Sequence, residues 1–66
     1  MKVSRAKIEY GMIKNGFNQK ALAERANLPP QTVSNVLRTE GTSIATLGKI
    51  ACALSVRPED LLKEEP

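Results

Sequence analysis

The sequence has no histidine and no tryptophan, a single cysteine at Cys52, and only two aromatic residues, Tyr10 and Phe17. Each shortage excludes a class of protein. Without His and with one thiol, the usual zinc-ligand sets cannot be assembled and no internal disulfide can close. No Gly-rich phosphate loop, no carboxylate pair suited to acid–base work and no activated nucleophile is visible, so no enzyme activity, cofactor or metal is expected. No apolar run approaches the ~20 residues needed to cross a bilayer, and no signal-peptide core opens the chain. These features predict a soluble protein of a reducing cytoplasm that does not engage membranes.

What is present points to one compact unit. The chain has 66 residues, 41% hydrophobic and 26% charged, which argues against a disordered tail. A chain this short buries only ~60% of its unfolded surface, too little for a separate sensor domain or a catalytic cleft. A single domain spanning 1–66 is therefore expected. Its net charge of +3 is unevenly placed. Residues 1–38 carry seven basic against two acidic side chains, net +5, and residues 39–66 carry three against five, net −2. The basic half is where a polyanion site belongs.

Helix punctuation is clear along the chain. Ser4 caps a helix to about Asn15 with Ile8 and Met12 inward, and Gly16 stops it. Gly11 costs that helix ~1 kcal/mol against Ala unless another backbone comes close there. Asn18 caps a second helix through Ala26, ended by Asn27. Leu28-Pro29-Pro30 must be extended before a third helix opens at Pro30 and runs to Arg38 or Thr39, with Val33, Val36 and Leu37 inward. Ser43 caps a fourth helix whose predicted inward face is Ile44, Leu47, Ile50, Ala51 and Leu54, with Cys52 as a small core residue. Pro58 opens a short fifth helix carrying Leu61 and Leu62. The prediction is five helices and no strand.

Residues 18–38 carry the functional signal. Two short helices meeting at ~90–120° across a tight turn need a small residue at their crossing, a turn residue tolerant of positive φ and a shared apolar core. Ala23, Asn27 and the set Leu22, Ala26, Leu28, Val33 and Val36 meet those demands. The outward face of the third helix holds Gln31, Thr32, Ser34, Asn35 and Arg38 and no carboxylate. Gln and Asn are the residues able to bond an adenine edge in two places, so Gln31, Ser34 and Asn35, with Thr32 secondary, are the candidate base readers. Backbone N–H groups at the start of the second helix form an anion site oriented by Asn18 and Gln19, and Lys20, Arg38, Thr42 and Ser43 are further candidate phosphate contacts.

This stretch resembles the Cro/C1-type family of helix-turn-helix DNA-binding proteins, also called lambda repressor-like or XRE. The family pattern is matched by Gln19, Leu22-Ala23, Asn27, Leu28, Pro29 and Thr32-Val33-Ser34, and downstream by Ser43, Ile50-Ala51-Cys52-Ala53-Leu54-Ser55-Val56 and Leu61-Leu62. Asn27 stands where the family has Gly, and Pro29 where it has a capping Ser. Met12 and Leu37 replace an Arg–Glu pair found in many members, and an apolar pair substitutes for a buried ion pair without loss of stability.

The resemblance implies an all-α lambda repressor-like domain with the helix-turn-helix in helices 2 and 3. It further implies a transcriptional regulator of bacterial or phage origin at the nucleoid, a repressor binding double-stranded DNA at a pseudo-palindromic operator as a homodimer. It supports Gln19 as a backbone clamp. Val56, Leu61 and Leu62 are the expected dimer surface. A competing expectation is a protein-interaction module, such as an antitoxin, acting through the acidic fifth helix and the tail with Glu64 and Glu65.

Overall fold

Ser4, Asn18 and Ser43 each turn a side-chain oxygen onto a backbone N–H three residues on, and a helix starts after each. Ser4 Oγ accepts from Lys7 N at 3.2 Å, Asn18 Oδ1 from Ala21 N at 2.7 Å and Ser43 Oγ from Thr46 N at 3.2 Å. The computed structural model describes residues 1–64. Its helices are α1 (Arg5–Asn15), α2 (Gln19–Ala26), α3 (Pro30–Thr39) and α4 (Ile44–Leu54). Gly16 leaves α1 at φ 70° and Asn27 leaves α2 at φ 57°, the left-handed conformation that Gly and Asn tolerate best. Pro29 precedes α3 in extended conformation and offers no side-chain cap.

The expected fifth α-helix is instead a single 3-10 turn, Pro58–Leu61. Asp60 accepts from Arg57 N at 3.1 Å and from its guanidinium at 3.3 Å, tightening the turn. Leu62 must then be extended, because it pairs with Val3 in an isolated antiparallel bridge. A second isolated bridge joins Lys2 and Gly41, and no strand occurs among the described residues. Also among them, no helix is long and apolar enough to cross a membrane.

One apolar core takes a face from every helix. Ile8 and Met12 enter it from α1, Leu22 and Ala23 from α2, Val33, Val36 and Leu37 from α3, and Leu47, Ile50, Ala51 and Leu54 from α4. Met12 and Leu37 are both buried in this cluster, as two apolar residues in place of an ion pair require. A Cβ on Gly11 would lie 3.0 Å from Leu54 Cδ1, so a side chain, not a backbone, occupies the space at that glycine.

Several side chains depart from the sequence reading. Ile44 is 75% exposed, since the first residue of α4 overhangs the end of the core. Cys52 is exposed, lying with Ala45 and Lys49 on the outer stripe of α4, opposite Leu47, Ile50 and Leu54. Val3, which the helix pattern omits, is fully buried. Leu61 is only 2% exposed, so it closes the core and cannot supply a dimer surface; Val56 and Leu62 are half-buried against the same core.

Candidate nucleic-acid interface

The turn between α2 and α3 is fixed by its own backbone. Asn27 N donates to Glu24 O at 3.2 Å and Leu28 N to Ala23 O at 2.9 Å, satisfying carbonyls left open at the end of α2. Leu28 is half-buried against the core. Ala23 is fully buried, which allows α3 to cross close over α2, and Val33, Val36 and Leu37 pin the rear of α3.

The opposite face of α3 is open. Gln31, Ser34 and Arg38 are exposed, and Thr32 and Asn35 are half-buried. Nothing in the described fold covers this row. Gln31, Asn35 and Arg38 lie one helical turn apart and are bonded together: Asn35 Oδ1 accepts from Gln31 Nε2 at 3.2 Å and from Arg38 Nη2 at 3.0 Å. Two of the candidate readers, Gln31 and Asn35, and the candidate phosphate contact Arg38 therefore form one ordered row. Ser34 and Thr32 flank it.

The candidate backbone contacts fall on two loops. Asn18, Gln19 and Lys20 are exposed at the start of α2, where first-turn N–H groups lack intrahelical partners. Thr42 and Ser43 lie at the start of α4, but their side chains are engaged locally: Thr42 Oγ1 donates to Ser43 O at 3.3 Å and Ser43 Oγ to Thr46 Oγ1 at 3.1 Å. Thr42 N itself donates to Met1 O at 3.0 Å, so what remains for an anion here is chiefly the backbone N–H groups of the first turn of α4. Among the neighbouring cations, Lys14 stands 5.6 Å from the Tyr10 ring centroid and Arg25 5.6 Å from that of Phe17.

Glu40 is a neighbour of this row that the sequence pattern does not single out. It ends α3 at φ 55°, where its backbone O accepts from Val3 N at 3.0 Å. Its carboxylate accepts from Arg5 N at 3.0 Å and from Lys63 Nζ at 3.1 Å. The backbone N–H of Arg5, then Lys63, hold that carboxyl below the usual carboxylate range. A negative charge two residues after Arg38 is thereby matched locally instead of facing an incoming polyanion. The available signals, a lone Glu and residues 35 and 23 positions away, were too distant to read in sequence.

The acidic C-terminal segment is partly committed within the fold. Asp60 pairs with Arg57, which lowers the carboxyl pKa and raises that of the guanidinium, and Glu64 lies 3.4 Å from Lys7 Nζ. Glu65 lies outside the described residues. A groove of about 440 Å³ between α1 and the 3-10 helix, lined in part by Tyr10, Gly11 and Val56, shares no residue with the α2–α3 surface.

A family model described as a Cro/C1-type helix-turn-helix DNA-binding domain matches residues 7–66. No curated protein matches the chain in sequence. Among solved structures, native PhpD with cadmium and a hydroxyethylphosphonate dioxygenase Y98F mutant each superpose at TM-score 0.83 with 24% identity. A PhpD–cadmium complex with hydroethylphosphonate does so at 0.82. Each likeness covers all of this chain but 14% of the other, and it is a likeness of fold.

Proposed function

Because the chain belongs to the Cro/C1-type helix-turn-helix DNA-binding family, we propose that it is a sequence-specific transcriptional repressor that binds a pseudo-palindromic operator as a homodimer. The observation that carries this reading is the exposed, carboxylate-free face of α3, whose amides are ordered and whose rear is locked into the core. The major groove admits such a helix and displays a distinct pattern at each base pair. In this reading Gln31, Ser34 and Asn35 read bases, with Thr32 beside them. The start of α2 with Asn18, Gln19 and Lys20, and the loop at Thr42 and Ser43, grip the backbone on either side. Two copies place their α3 helices ~34 Å apart, one DNA turn.

The protein acts by binding, in the cytoplasm at the nucleoid, without a catalytic step or cofactor. Selection of bound sequences from a random DNA pool at fixed salt tests the whole reading. An enriched site with two inverted half-sites one helical turn apart is the expected result. Enrichment of no sequence would sink it. Asn35→Ala should then relax the base preference, while Lys20→Ala should weaken all sequences alike and reduce the salt slope by ~0.9.

A further inference from the structure

The atoms that Asn35 and Gln31 show to solvent are decided by Arg38. A guanidinium has only donors, so the Asn35 atom 3.0 Å from Arg38 Nη2 must be the amide oxygen. That oxygen also accepts from Gln31, so the Gln31 atom 3.2 Å away must be the amide nitrogen. Both lone pairs of Asn35 Oδ1 are then occupied. What remains for a ligand along the row is one acceptor, Gln31 Oε1, followed by donors: Asn35 Nδ2 and the unengaged N–H groups of Arg38.

We infer that Arg38 is a positioning residue for base readout, setting the Asn35 amide donor-outward so that the C-terminal end of the α3 row selects a guanine edge. This rests on the DNA-reading function proposed above and goes beyond it. An isolated Asn prefers adenine, its Oδ1 accepting from the N6 amino group while its Nδ2 donates to N7; that requires its oxygen to be free. Here the oxygen is taken. Guanine presents two acceptors, N7 and O6, in the major groove, the complement of a donor-only tip. At the N-terminal end of the row, Gln31 Oε1 instead suits the exocyclic amino group of adenine or cytosine.

A second consequence separates this role from a phosphate contact. Were Arg38 only a backbone anchor, its loss would weaken every sequence equally. As a positioning residue, its loss frees Asn35 Oδ1 to turn outward, and the base preference itself changes.

The experiment compares wild type, Arg38→Met and Arg38→Lys on duplexes carrying the selected site and its guanine-to-adenine variant at the base pair affected by Asn35→Ala. Wild type is expected to favour guanine by roughly tenfold or more. Arg38→Met should lose most of that ratio, whatever its overall affinity, and Arg38→Lys, which keeps a donor at the same place, should recover part of it. Arg38 is exposed, so folding is expected to be retained, and circular dichroism checks it. A wild-type preference for adenine, or an unchanged ratio in Arg38→Met with uniformly weaker binding, would overturn the positioning role while leaving DNA reading intact. Absence of any selected site in wild type would remove the underlying function itself.

Discussion

The side-chain amide of Asn15 ties α1 to the end of α4: its Nδ2 donates to Gly11 O at 2.8 Å and to Leu54 O at 3.2 Å. Both helices reach their C-terminal ends here, so one amide serves a carbonyl from each. Replacing it leaves Leu54 O, in the last turn of α4, to find water. Asn15→Ala is expected to lower stability by about 1 kcal/mol, measured by urea denaturation. An unchanged midpoint would show that the bridge contributes nothing.

Asn27 supplies the left-handed residue on which the approach of α2 to α3 depends. Alanine at φ 57° is disfavoured by roughly 1–2 kcal/mol, whereas glycine is at ease there. Asn27→Ala should therefore destabilise the fold by about that amount, and Asn27→Gly should keep thermal stability close to wild type. Equal melting temperatures for the Ala and Gly variants would contradict the role of backbone conformation.

Glu40 gives the fold an acid-sensitive joint. Its carboxyl pKa is lowered in the folded chain by the Arg5 N–H and by Lys63, so folding favours the ionised form. The resulting stability is present above the unfolded value of 4.5 and is lost as pH falls through the lower folded value. Wild type should thus exceed Glu40→Gln in melting temperature at neutral pH, with the gap closing in strong acid. A gap that is independent of pH would assign the effect to packing.

Much of the architecture was legible because its determinants are local. Ser4, Asn18 and Ser43 announce helix starts within a few residues of the N–H groups they cap, and Gly16 and Asn27 mark the stops. The polar row Gln31, Ser34, Asn35 and Arg38 was equally visible, since helical spacing places it opposite Val33 and Val36. What escaped reading depends on distant partners. Val3 looks like an ordinary terminal residue until Leu62 and Glu40 are beside it. Leu61 and Leu62 read as a pair, yet the extended turn of the chain after residue 61 sends one into the core and leaves the other half-covered. Ile44 and Cys52 were placed inward, one by periodicity and one by residue type; the overhang of α4 and its rotation about Leu47, Ile50 and Leu54 turned both outward.

The bridge between Val3 and Leu62 has a consequence for how the molecule comes into being. Synthesis runs from the N-terminus, so Val3 leaves the ribosome well before Leu62 and waits for its partner to exist. Until residue 62 has emerged, α1 has no seal at its base and Glu40 lacks Lys63. A nascent chain stalled after α4 should consequently be open to proteases, and emergence of residues 58–63 should be the event that closes the domain.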